Sequence, residues 1–356
     1  MTIYEVMIGV TLLIYLGLRY ILYYDKSRVD RITIVFFFVS YLLLLCLRDI
    51  SVGIDTISYF ERYVKIQMYS WTELFEYDDA GGEIGFLCLN KLVGTFGNFR
   101  LLLIVVSSAV VIPVTYLYTK ESEGAIFTIS FFLISLLFSM FFSGMRQSIA
   151  IAFGVPAYFF VKQKSILPFI CMVICACLFH KTGVVIGLLY PVFYAKITRK
   201  WLWFIVPLMI AIYYYRNQVF GFIMHFSEDT SYESYSMLTG ESGQWALSLL
   251  FILLSCYSYI VLDEKKSTQD DIGLRNILLL ATCIHMFSTV NPVAARITMY
   301  YILFIPIAIT RINNRSKDVF SPLTLLASII MSFYFVLHFV ISTGDTLQVK
   351  DYHFLW

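Results

Sequence analysis

Long apolar stretches dominate this chain, and short polar clusters interrupt them at intervals. A helix needs about 20 mostly apolar residues to cross a bilayer. Stretches near or approaching that length run over 3–23, 31–47, 99–118, 125–142, 145–161, 165–180, 182–195, 201–220, 244–262, 273–290, 294–310 and 320–341. A further apolar run, 84–97, is too short to cross comfortably. The pattern predicts an all-α, polytopic integral membrane protein with about twelve transmembrane helices. The short run predicts a re-entrant or interfacial helix. The whole chain, 1–356, reads as a single transmembrane domain. Its first apolar stretch lacks a basic leader and a small-residue cleavage site, so it reads as a retained helix.

Lys and Arg in short loops orient such a protein, because basic loops stay on the cytoplasmic side. The basic loops are "DKSRVDR" (25–31), "VKQKS" (161–165), "KITRK" (196–200), "DEKK" (263–266) and "RINNRSK" (311–317), with "KESEG" (120–124) a weaker member. An even number of crossings between them is obtained only if 84–97 enters and leaves on one side. Both termini then face outward. The segments 48–83 and 221–243 become outer loops, and both are rich in Asp and Glu. Tyr and Trp collect at span ends, as in "WLW" (201–203) and "YYY" (213–215), where aromatic belts form.

Composition sharpens this picture. The chain is 59% hydrophobic and only 14% charged, against about 25% charged in a soluble protein. The net charge of +2 comes without any basic run that could hold a phosphate backbone, so nucleic acid is excluded as a partner. The seven cysteines lack the paired spacing and His partners of a metal site, so they read as small buried hydrophobes. No metal and no cofactor is expected. There is no phosphate-binding GxxxxGK[ST] loop, no HExxH and no GxSxG.

Against this apolar background, ionisable residues near the outer span ends stand out. They are Arg48, Asp55, Glu83, Arg146, His180 and Arg296; His285 lies within a span. An arginine at membrane depth costs about 2.5–3.5 kcal/mol on insertion scales. Each residue also has a simpler role open to it. Arg48 and Arg296 could snorkel. Asp55 and Glu83 could cap the helices that follow them. Arg146 could pair structurally with a carboxylate of another helix. His180 and His285 could be satisfied core histidines. As a set, however, three arginines, two carboxylates and a histidine on one face suit a diphosphate and a proton transfer. Arg offers a planar fork matched to phosphate oxygens, and His or a carboxylate can accept a proton.

At these residues the sequence resembles a known family. "RDISVGIDTISYF" (48–60), "EIGFLCLN" (83–90), "GMRQSIAIAF" (144–153), "FHKTGVVIGLLY" (179–190) and "RITMYY" (296–301) are similar, in this order, to motifs of EpsG-type, Wzy-like polysaccharide polymerases. The resemblance implies a GT-C-like glycosyltransferase of the bacterial cytoplasmic membrane with an outward-facing site. Its donor and acceptor would both be oligosaccharides on undecaprenyl diphosphate, in contact with membrane lipid. A flippase and a chain-length regulator would be its partners. The growing glycan would leave its lipid for a sugar hydroxyl of the next repeat unit. In that reaction Arg146 and Arg296, with Arg48 assisting and Gln147 donating a neutral hydrogen bond, would hold the diphosphate. His180 is the first choice of base, then Asp55, then Glu83. A lipid-linked glycan ligase, or a flippase or transporter of lipid-linked sugars, is the alternative.

Overall fold

A computed structural model describes residues 2–23, 25–76, 83–215, 218, 245–262, 267–289, 292–315, 330 and 348–354. The expected outer loop 221–243 and most of the expected span 320–341 lie outside the described residues, as do residues 77–82 of the loop 48–83. Sixteen α-helices occur among the described residues. The chain forms two compact units, one from Met1–Ile186 with Ser321–Trp356, the other from Gly187–Phe320.

In the first unit, α1 (Ile3–Ile21), α2 (Lys26–Leu47), α3 (Thr56–Met68), α4 (Trp71–Glu76), α5 (Ile84–Phe96) and α6 (Phe99–Glu121) are followed by α7 (Ala125–Ile134), α8 (Leu136–Ser143), α9 (Met145–Lys162) and α10 (Ile166–Phe179). The starts are written in sequence. Thr2 and Glu5 form a reciprocal capping box on α1, while the side chains of Asp25 and Asn98 accept from the first turns of α2 and α6. α1, α2 and α6 are each long and apolar enough to cross a membrane.

The expected span 125–142 is instead two helices, α7 and α8, bent by 60°. The break falls at Ser135, whose backbone is extended (φ −75°, ψ 150°) and whose hydroxyl donates to the Phe132 carbonyl. The expected span 182–195 likewise resolves into a 3₁₀ segment, Lys181–Leu188, and a short helix, α11 (Leu189–Tyr194). By length and composition the described helices supply three spans, or five if each bent pair counts as one. Among the described residues this is fewer than the twelve full spans that hydropathy leads one to expect. Breaks at extended residues cut apolar runs that a hydropathy window reads as continuous. The run 84–97 is helical over Ile84–Phe96, 13 residues and short for a crossing, as its length led one to expect.

The core of this unit is aromatic. Tyr41 lies 5.2 Å from the Phe138 ring, Phe38 lies 5.0 Å from Phe132, and Tyr4 meets Phe138 edge-on at 5.6 Å. A buried phenol needs a hydrogen-bond partner, and Tyr41 donates to the Phe138 carbonyl at 2.6 Å. The two ends of the unit differ. At one, Lys162 at the close of α9 pairs with Glu121 at the close of α6 at 2.8 Å, which joins two of the basic loops. The other end of α9 carries Arg146, 16 residues earlier and therefore about 24 Å away.

In the second unit, α11 and α12 (Leu202–Tyr214) are followed by α13 (Trp245–Val261), α14 (Gln269–His285), α15 (Pro292–Ile302) and α16 (Ile305–Arg315). α14 is central and packs against α11, α13, α15 and α16. Its buried Arg275 donates to the carbonyls of Leu262 and Ile197, and its guanidinium stacks 4.1 Å from the Tyr259 ring centroid. Arg199 donates to the carbonyls of Tyr259 and Ile260. These arginines satisfy carbonyls that the end of α13 leaves open, and cations are favoured there. Asp271, in the first turn of α14, pairs with Arg315 at 3.2 Å. The basic loop 196–200, the end of α13 and the end of α16 thus meet at one end of this unit, consistent with basic loops sharing a side.

Candidate functional site

Three chain ends converge in the first unit. Glu83 precedes α5, Arg146 opens α9, and His180 closes α10. Glu83 Oε2 lies 3.0 Å from Arg146 Nη1, and Glu83 Oε1 lies 2.5 Å from His180 Nδ1. The Lys181 backbone N–H also donates to Oε1, at 3.1 Å. One buried carboxylate therefore holds both the guanidinium and the imidazole. The Glu83 side chain is 5% exposed, while Arg146 and His180 keep 26% and 23% of theirs accessible.

The backbone makes this meeting possible at Gly85. A Cβ there would stand 2.9 Å from the Leu178 carbonyl oxygen, so only glycine lets the start of α5 approach the end of α10. Glu83 occupies the N-cap position of α5 yet makes no side-chain cap hydrogen bond. Its carboxylate is committed to His180 and Arg146 instead, which sets the simple capping role aside.

The electrostatics follow from placement. An arginine in the first turn of a helix faces the positive end of the helix dipole, and α9 has no acid in its own first turn to offset it. Glu83 supplies that charge from another element. Burial alone would raise the Glu83 carboxyl. The hydrogen bond from His180, the charges of His180 and Arg146, and the Lys181 N–H outweigh it and hold the carboxyl below its ordinary value. A carboxylate can only accept, so His180 presents Nδ1–H to Glu83. Its neutral form then carries the lone pair on Nε2, the nitrogen that does not face Glu83.

Asp55 stands beside this cluster. It sits at the N-cap position of α3 without a side-chain cap hydrogen bond. Its carboxylate accepts from Ser143 Oγ at 3.0 Å, and that same oxygen accepts from the Asp55 N–H at 3.2 Å. Ser143 ends α8, three residues before Arg146, and Asp55 acts coulombically on Arg146. Tyr59, one turn further along α3, accepts at its hydroxyl oxygen from Arg146 Nε at 3.5 Å, and the guanidinium lies 5.9 Å from its ring centroid.

The remaining candidates are placed differently. Arg48 is 1% exposed, donates to the Leu45 carbonyl at 2.6 Å and lies 5.7 Å from the Phe142 ring centroid. It does not snorkel. Gln147 is buried beside Arg146. Arg296 lies on α15 of the second unit. His285, in the same unit, is fully buried against Phe251, and neither ring nitrogen has a hydrogen-bond partner among the described residues. A search for charges misses Tyr59 and Ser143 because both are neutral; the signal available was position, one turn after Asp55 and three residues before Arg146.

Fold and site together describe an α-helical protein with several membrane-length apolar helices and a charged cluster at helix ends of one unit. The EpsG family model matches residues 31–354, and the chain belongs to that family. The family is associated with exopolysaccharide biosynthesis. None of the curated proteins and none of the solved structures compared matches the chain.

Proposed function

We propose that this protein is a membrane glycosyltransferase that polymerises lipid-diphosphate-linked oligosaccharide repeat units at the outer face of the bacterial cytoplasmic membrane. The observation that carries this reading is the Arg146–Glu83–His180 cluster: a phosphate-matched cation and an oriented imidazole joined by one buried carboxylate. A hydroxyl of the acceptor sugar attacks the anomeric carbon of the lipid-linked chain. Its proton passes to His180 Nε2. The anomeric carbon–oxygen bond to diphosphate breaks, and the lipid diphosphate leaves with the electron pair. Arg146 is placed to stabilise the charge that gathers on it; donors aimed at such charge are worth about 2.7–4 kcal/mol each in other oxyanion sites. Glu83 keeps His180 in the required tautomer and stabilises its cation, as a carboxylate does in acyl-transfer triads.

Asp55, tied to Ser143, is the second base candidate. Arg48 and Gln147, both buried, keep their assisting roles at the diphosphate on the family resemblance. Arg296 keeps its diphosphate role on the family resemblance alone. Lipid-linked donor and acceptor, and partnership with a flippase and a chain-length regulator, follow from the same reading.

The test is reconstitution. Purified protein in lipid, supplied with lipid-linked oligosaccharide extracted from the source strain, should give a ladder of products, and His180→Gln should abolish it. Transfer of single units to a different acceptor would replace polymerase by ligase. Movement of intact lipid-linked units across the bilayer without new glycosidic bonds would replace it by flippase.

A further inference from the structure

The chain's last described segment, 348–354, returns to the first unit and lies along the turn that leads to Asp55. Its hydrogen bonds to that turn are backbone to backbone. Asp49 N–H donates to the His353 carbonyl at 2.8 Å, and Gly53 N–H donates to the Gln348 carbonyl at 2.8 Å. Arg48 and Phe354 form an antiparallel bridge. Side chains fasten the segment further. Tyr4 donates to the Val349 carbonyl at 2.7 Å, Tyr352 donates to the Leu44 carbonyl at 2.8 Å, and Val349 is fully buried.

The turn is gripped from the opposite side by the end of α8. Gly53 adopts φ +93°, and a Cβ there would stand 2.7 Å from the Phe142 carbonyl oxygen. Thr56 donates to the Val52 carbonyl at 2.8 Å, and Asp55 engages Ser143. The turn therefore runs between the C-terminal segment and the helix end adjoining Arg146. Without the segment, the Asp49 and Gly53 N–H groups would lose their partners, and at Gly53, which is buried, an unsatisfied donor is costly.

We infer that segment 348–354 is a positioning strap: it fixes the 49–56 turn and so sets Asp55 and Tyr59 against Arg146. This deepens the reading of Arg146–Glu83–His180 as the reactive site and rests on it. Gln348 gives access to the strap through the backbone alone. Its side chain is exposed and its φ is +51°, a conformation that glycine adopts freely and proline cannot adopt.

The experiment pairs Gln348→Gly with Gln348→Pro in purified protein, using lipid-linked oligosaccharide from the source strain and amide hydrogen exchange over residues 48–56. Gln348→Gly should match wild type in both. Gln348→Pro should lower kcat about 100-fold with little change in KM, the scale of a small misplacement of reacting groups. Exchange in the Asp49–Gly53 turn should quicken at least about ten-fold, as local opening becomes easier. Tyr352→Phe, which loses one hydrogen bond and almost no volume, is the milder variant and should shift both readouts in the same direction. Unchanged exchange in Gln348→Pro and Tyr352→Phe overturns the strap. Quickened exchange with unchanged kcat overturns its positioning role. Arg146→Lys, run alongside, separates the two ideas: full activity there sinks the reactive-site reading, and exchange then decides the strap by itself.

Discussion

His180 Nδ1 lies 2.5 Å from Glu83 Oε1, although 97 residues separate them. The contact joins the start of one helix to the end of another, and Arg146 completes it from a third. A carboxylate at the open start of α5 is favoured as an anion. The carboxylate thus stands against the imidazole and the guanidinium before any substrate arrives.

Glu83→Gln keeps the shape and removes the charge. It leaves Arg146 without its 3.0 Å partner and His180 without an anion to steady its cation. Polymer formation should fall at least about 100-fold, in the range general acid–base groups contribute, with protein still in the membrane fraction. Product ladders normalised to protein level measure this, and wild-type ladders would remove Glu83 from the mechanism.

Arg146→Lys retains a cation but loses the guanidinium fork. A loss of about 10²–10³ in kcat is expected if the side chain meets developing diphosphate charge. A change confined to KM would assign Arg146 to ground-state binding.

Gly85→Ala pushes a methyl against the Leu178 carbonyl, which a Cβ would approach to 2.9 Å. Overpacking of this kind costs about 1–3 kcal/mol. Thermal unfolding in detergent should shift down, and activity should fall because Glu83 is carried away from His180. A variant of wild-type stability and activity would show that the helices have room to part.

The Glu83 carboxyl is held below its ordinary value of 4.5 in the folded protein. The sign follows: its contribution to stability is fully present above that ordinary value and is lost as pH falls through the lower folded value. Glu83 should therefore remain ionised throughout the neutral range. An acid limb in a pH–rate profile above the usual carboxylate range belongs to another group, and its persistence in Glu83→Gln would confirm that assignment.

His285→Leu removes a buried imidazole with no hydrogen-bond partner among the described residues in favour of an apolar side chain. Leaving a polar group unpaired costs about 1–3 kcal/mol, so the variant should be more stable by an amount on that scale. Thermal unfolding measures it. Loss of polymer with gain of stability would mark His285 as functional.

The sequence by itself determined that this chain is helical and apolar over membrane-length stretches, and it marked out the charged residues that the fold brings together. Apolar runs of bilayer length demand helices, because unpaired backbone groups cannot be left in lipid. Rare charges within such runs are few enough to be picked out one by one, and Glu83, Arg146 and His180 were among them. Even the shortness of the 84–97 helix was legible, since length alone decides it. What the tertiary structure decided was pairing and continuity. Capping and catalysis draw on the same residue types, so only the fold could turn Asp55 and Glu83 away from their own helices and toward Ser143, His180 and Arg146. Hydropathy averages across a single extended residue, so the 60° bend at Ser135 was invisible to it. The return of Gln348 and His353 to the turn after Arg48 was equally hidden. Those contacts are made by backbone groups that every residue carries, and a contact made without side chains leaves almost no trace in a sequence.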